Sequence, residues 1–159
     1  MIITEGLGKK FSSHCRIGGA EELSGGVYVE DRRQYLSTSF LDEMRPLLPE
    51  GTCKGLAVVN VDLYASGLNF VFGEAEVNGD CAVISLFRLH PQFYGFSEHE
   101  SLLCQRVLKE AVHEIGHTFG LLHCRDPHCV MHFSNSIADT DKKDADFCAD
   151  CLIALRAVD

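Results

Sequence analysis

The sequence predicts an α+β domain in which a pair of hairpin-linked strands is followed by a long helix. Two observations carry this. Residues 68–77 and 81–89 are both strand-like apolar runs, and Asn78-Gly79-Asp80 between them is a strong hairpin sequence. After them, Leu103, Cys104, Val107, Leu108, Ala111, Val112, Ile115 and Phe119 fall on one half of a helical wheel. A chain of 159 residues is long enough to bury a real core, so residues 1–159 read as one domain.

Residues 1–26 are the least legible part. Gly6, Gly8, Gly18, Gly19, Gly25 and Gly26 punctuate them, leaving room for at most a short helix near Lys9 to His14. Val27-Tyr28-Val29 reads as a brief strand and residues 31–35 as a polar connection. Ser37-Thr38-Ser39 offers an N-cap to a helix with the apolar stripe Phe40, Leu41, Met44, Leu47 and Leu48, which Pro46 and Pro49 end. Residues 56–61 are short, apolar and rich in valine, as a central strand would be. Gly73 marks a bulge in the strand over 68–77. Ser97-Glu98-His99-Glu100 is a capping box for the long helix. A last helix over 146–158 has Leu152, Ile153, Leu155 and Ala157 as its apolar positions.

The formal net charge of −9 argues against nucleic acid as the main partner, because such binders usually carry a basic face. No apolar run reaches the length that crosses a bilayer. The start, Met1-Ile2-Ile3-Thr4-Glu5, lacks a basic region followed by an apolar stretch. The expectation is a soluble, non-secreted, cytoplasmic monomer with no membrane partner. Its 8 cysteines then fit zinc-bound thiolates better than disulfides.

The chemistry is concentrated in residues 113–123, which read His-Glu-Ile-Gly-His-Thr-Phe-Gly-Leu-Leu-His. His113 and His117 are four residues apart, so on a helix they lie within about 40° of each other and can grip one ion. Glu114 sits between them, placed to reach a water on that ion without being a ligand. Gly120 lets the chain leave the helix, since glycine tolerates the left-handed conformation that commonly ends one. The turn then returns His123 as a third nitrogen ligand. Three ligands leave one position open, the arrangement of a catalytic zinc. A bare His-Glu-x-x-His is weak, because helix-surface histidines produce it by chance. The extended form with its glycine and third histidine, followed by Met131, is the metzincin pattern with a Met-turn.

A second cluster follows directly. Cys124 adjoins His123, Cys129 comes five residues later, and Cys148 and Cys151 form a Cys-x-x-Cys. Two short-spaced pairs read as a tetrahedral Cys₄ zinc site with no open position, hence structural. It would pin the terminal helix to the segment carrying His123. The competing readings are two disulfides or four unrelated thiols. Cys15, Cys53, Cys81 and Cys104 have no ligand spacing and read as small buried apolar residues.

Taken together, residues 113–123 with Cys124, Cys129, Met131, Cys148 and Cys151 resemble the archaemetzincins, a branch of the metzincin metallopeptidases. Val61-Asp62-Leu63-Tyr64, Gly73-Glu74-Ala75, Arg88-Leu89, Phe93-Tyr94-Gly95 and residues 131–136 are similar to that family too. The likeness covers roughly residue 30 to the end. It implies a compact fold with a mixed twisted sheet, a backing helix, the active-site helix, a Met-turn below the metal and a C-terminal helix. It also implies one catalytic and one structural zinc, and a protease or aminopeptidase activity on peptide or protein substrates. Family members open with an alternating strand and a longer first helix, which residues 1–10 do not supply. The first strand is therefore expected to be missing or altered, as in a variant or a truncated start.

The activity expected is peptide-bond hydrolysis with Glu114 as general base. Residues 84–89 are the expected exposed strand for pairing with a substrate backbone. Two other readings compete. The His-x₃-His-x₅-His spacing also resembles a bacterial endoribonuclease of ribosomal RNA maturation, which the glutamate, the methionine, the cysteines and the acidic charge oppose. A zinc-stabilised binding module with a closed active site fits the same ligand spacing.

Overall fold

The structure, a computed structural model, describes residues 2–18, 26–52 and 54–157. Its centre is the mixed sheet formed by β3 (Gly55–Val59), β6 (Cys81–Ser85) and β5 (Gly73–Ala75), in that spatial order. β3 runs parallel to β6, and β5 runs antiparallel to it with Gly73 opposite Ile84 and Ala75 opposite Ala82. The central strand is thus β6, whose five residues are all buried, and not the one over 56–61. The valine-rich run is the edge β3, with Val58 46% exposed.

Alternation along β6 builds two cores. Ala82 and Ile84 face the larger cluster, with Val107, Ala111, Val112 and Ile115 of α3 (Glu100–Thr118) and with Met131. Cys81 and Val83 face the other side, against Phe40, Leu41 and Met44 of α2 (Ser37–Met44). Each large apolar side chain fully buried this way contributes about 1.5–3 kcal/mol. α3 and α2 are therefore the active-site helix and the backing helix of one sheet.

The small sheet of β1 (Tyr28–Val29), β2 (Gln34–Leu36) and β4 (Leu63–Tyr64) lies upstream. Tyr35 is in a strand rather than a polar connection, because Arg33 adopts a positive φ of 54° that turns β1 into β2. α2 starts at Ser37 as expected, but no serine side chain caps it. Its first-turn hydroxyls, on Ser37 and Thr38, both donate to the Glu74 carboxylate of β5. Pro46 lies in the short 3-10 turn Arg45–Leu47 that ends the helix, where Leu47 is 47% exposed rather than in the stripe.

Two expected strands are shorter than the sequence suggested. Residues 68–72 leave the ladder because the Leu68 and Asn69 carbonyls accept from Arg32, and Asn69 also from Gln34. Residues 86–90 turn away because the Ser85 hydroxyl donates to Val61 O and accepts from Phe87 N–H. Residues 84–89 are consequently no exposed strand: Ile84 and Leu89 are fully buried and β6 is paired on both sides. The hairpin between β5 and β6 is present, with Asn78 at φ 59°.

The start of the chain is the helix α1 (Ile2–Phe11), earlier than Lys9 to His14 and not broken by its glycines. Gly6 is there for packing: a Cβ would stand 2.5 Å from Leu108 Cδ1, so α1 lies close on α3. Leu7 enters the core, and Phe11 stacks on Phe119 with centroids 5.3 Å apart. No strand precedes Tyr28 among the described residues.

α3 begins at Glu100, and the cap is not Ser97 but His99, whose Nδ1 accepts from Leu102 N–H at 3.2 Å. After Met131 comes α4 (Ile137–Lys142), which the sequence reading missed although Ser136 and Asp139 form its capping box. The last helix, α5 (Ala149–Arg156), is shorter than 146–158, and Cys148 is its N-cap. It buries Leu155 but leaves Ile153 68% exposed. No helix of the described residues is long and apolar enough to cross a membrane.

Candidate metal centre

α3 delivers His113, Glu114 and His117 on its face toward β5, all three buried. The helix then ends in a Schellman motif. Gly120 N–H donates to His117 O at 2.8 Å and Leu121 N–H to Gly116 O at 3.1 Å, with Gly120 at φ 86°. The reversal places His123 beside the other two histidines. One nitrogen from each of the three lies within 4.8 Å of the others.

The protonation pattern of this trio follows from its hydrogen bonds. His113 Nδ1 is 2.7 Å from Val130 O, and His117 Nδ1 is 2.7 Å from Leu121 O. A carbonyl only accepts, so both Nδ1 atoms carry the proton and both Nε2 atoms present lone pairs. These Nε2 atoms face each other at 3.1 Å. Two lone pairs at this distance form a seat that a metal cation would fill, and neutral imidazoles are the form that binds zinc. Burial pushes His113 well below the usual histidine range and lowers His117 and His123 as well. His123 differs from its partners. It is exposed, forms no hydrogen bond within the described residues, and is held by ring contacts to His113 at 5.4 Å and Phe133 at 4.9 Å.

Glu114 lies against β5. A Cβ on Gly73 would meet Glu114 Cγ at 2.7 Å and Oε1 at 2.8 Å. Gly73 therefore marks a close approach and not a bulge, since it pairs regularly with Ile84. Burial pushes the Glu114 carboxyl well above the usual range, Glu110 adds to this, and Lys143 opposes it. A carboxyl raised in this way holds a proton more readily than an ordinary carboxylate, as a general base must.

Met131 is fully buried beneath α3, where its sulfur fills the space that Gly116 leaves. The same loop supplies Val130 O to His113. Cys124 is fastened to it by Cys124 N–H to Met131 O at 2.9 Å and by His132 Nδ1 to Cys124 O at 3.0 Å.

The sulfurs of Cys124, Cys129, Cys148 and Cys151 also lie within 4.8 Å of one another. All four are free thiols, with Cys124 Sγ and Cys148 Sγ 3.7 Å apart, so the disulfide reading does not hold. Backbone N–H groups point at two of the sulfurs, Cys148 N to Cys129 Sγ at 3.3 Å and Asp126 N to Cys124 Sγ at 3.4 Å. Hydrogen bonding from the Cys151 backbone lowers the Cys148 thiol, while burial raises Cys129 and Cys151. Four convergent sulfurs with N–H donors around them suit a thiolate-bound metal. Of the other cysteines, Cys81 is buried as expected, Cys15 and Cys104 are half-buried, and Cys53 lies outside the described residues.

The sequence reading missed a polar group behind the three histidines. Glu110, Thr140 and Lys143 are all buried there, with Lys143 Nζ 3.1 Å from Glu110 Oε1. The signal was Glu110 itself, which helical spacing places on the same face as His113, Glu114 and His117.

Comparison with known proteins agrees with this geometry. Residues 26–157 match peptidase family M54. The archaemetzincin of Pyrococcus abyssi (strain GE5 / Orsay) is 47% identical over 154 residues, covering 95% of this chain and 82% of the relative. That of Methanocaldococcus jannaschii is 46% identical over 153 residues, covering 94% and 83%. The crystal structure of the archaemetzincin from Archaeoglobus fulgidus, complexed with malonate, matches with a TM-score of 0.81 at 43% identity, over 96% of this chain and 89% of that one. A zinc-dependent peptidase from Methanocorpusculum labreanum matches with a TM-score of 0.82 at 31% identity, over 96% and 91%.

Proposed function

This chain belongs to peptidase family M54, the archaemetzincins, and from that premise we propose how its residues divide the work. It is a zinc-dependent metallopeptidase. His113, His117 and His123 hold the catalytic zinc, and Cys124, Cys129, Cys148 and Cys151 hold a second, structural one. The observation that carries the first assignment is the pair of unprotonated Nε2 atoms facing each other at 3.1 Å. Zinc at such a site supplies Lewis acidity toward water and toward a carbonyl oxygen.

The chain's own residues supply the rest. Glu114 takes a proton from the attacking water on a carboxylate oxygen and returns it to the leaving amine. Gly73 gives that carboxyl room to sit against the sheet. Val130 O and Leu121 O keep His113 and His117 in the tautomer that presents Nε2. Among the described residues β5 has one strand partner, so it, and not residues 84–89, is the edge beside Glu114 on which an extended peptide can pair. The exposed ring of His123 leaves the cluster reachable from solvent, which supports an open site over a closed binding module.

The test is digestion of a peptide library by zinc-replete protein, with a chelator control and with zinc content measured alongside. Cleavage abolished by chelation and restored by zinc is expected. Stoichiometric zinc without any cleavage would return the closed-module reading.

A further inference from the structure

Lys143, which follows α4, has no solvent exposure at all. Its Nζ lies 3.1 Å from Glu110 Oε1 and 3.4 Å from His132 O. Glu110 is 2% exposed, stands one helical turn before Glu114, and also accepts from Thr140 Oγ1 at 2.9 Å. A buried ion pair of this kind is weak as a source of stability, because desolvating both charges offsets their attraction. Its position therefore needs another account.

Attachment of α4 to α3 does not require it. Arg106 grips Asp141 with two bonds of 2.7 and 2.8 Å, and Lys109 Nζ donates to the Thr140 and Asp141 carbonyls at 3.1 Å each. What Lys143 adds is a contact to the loop carrying Met131. The chain after it is stitched to that loop, Asp144 N–H to His128 O at 2.8 Å and Val130 N–H to Asp146 O at 2.9 Å. Val130 O in turn holds His113 Nδ1 at 2.7 Å.

We propose that Lys143 is a positioning residue for the histidine site. Clamped between Glu110 on the ligand helix and His132 O on the loop, it sets the height of residues 128–132 over α3. The Val130 carbonyl that orients His113 is set with them. This rests on the reading that His113, His117 and His123 hold zinc.

Lys143→Met alone leaves the Glu110 charge buried without its partner and is expected to unfold easily. The deciding variant is E110Q/K143M. It removes both charges together, keeps an acceptor for Thr140, and fills the volume of the lysine stem. Thermal unfolding is measured beside zinc affinity of the histidine site, by competition with a chromophoric chelator, and peptide hydrolysis. The double variant should melt within a few degrees of the wild type yet bind zinc at the histidine site roughly 10–100-fold more weakly. Wild-type zinc affinity in the double variant overturns the proposal. So does a melting temperature that falls in step with the affinity, because the pair would then be merely structural. Failure of the underlying reading looks different: His117→Ala would hold as much zinc as the wild type, and the proposal falls with it.

Discussion

Met131 and Gly116 are complementary: a Cβ on Gly116 would stand 2.6 Å from Met131 Sδ and 3.2 Å from its Cε. Gly116 lies between His113 and His117, and Met131 is fully buried, so the sulfur has no room to withdraw. Gly116→Ala gains about 1 kcal/mol of helix propensity but overpacks the core at a cost of about 1–3 kcal/mol. A net loss of stability and weaker zinc retention are expected. Met131→Ala should relieve part of it. In a double-mutant cycle by denaturant unfolding, the two losses should fall short of additivity by about 0.5–3 kcal/mol. Strict additivity would mean that the two do not press on each other.

Gly73 is a stricter case, because the obstacle there is backbone. An added Cβ meets Val83 O at 2.6 Å besides the Glu114 side chain. Neither the ladder of β5 and β6 nor the carboxyl can move cheaply. Gly73→Ala is expected to cost about 2–3 kcal/mol and to depress kcat strongly while zinc content stays near that of the wild type. Normal turnover in this variant would show that the tight seat of Glu114 is irrelevant to its work.

Glu114→Gln keeps the shape and removes the base. Turnover should fall by at least about 10²–10⁴-fold, with the catalytic zinc still bound, since the carboxyl is not counted among its ligands. Elemental analysis beside the kinetics checks this. Zinc loss equal to that of His117→Ala would mark Glu114 as a ligand.

The two proposed metals should divide their labour. Protein purified without added metal should contain close to two zinc ions per chain by elemental analysis. Cys148→Ser leaves a residue able to cap α5 but removes one sulfur from a four-sulfur site of the kind that contributes folding energy directly. His123→Ala removes an exposed ring with no hydrogen bond to the protein among the described residues. The cysteine variant should melt lower by about 10 °C or more, the histidine variant by a few degrees. The reverse order would make the catalytic ion the main staple of the C-terminal region.

The sequence by itself determined the chemistry of this protein. Helical periodicity is short-range, so the four-residue step from His113 to His117, Glu114 between them and the glycine exit at Gly120 could be read without a partner in space. The hairpin between β5 and β6 and the start of α2 were legible for the same reason. The tertiary structure decided what depends on neighbours from elsewhere in the chain. Whether residues 56–61 are central or edge depends on which strand is covered on both faces, and β6 is. The glycines at 6, 8 and 73 look like breaks in one dimension, whereas Gly6 and Gly73 are points where Leu108 and Glu114 come close. The N-terminal helix and the buried Lys143 were hidden because each is stabilised by contacts to α3, about a hundred residues away for the first and about thirty for the second. Local pattern names the candidate ligands; long-range packing fixes the height, tautomer and burial at which they meet.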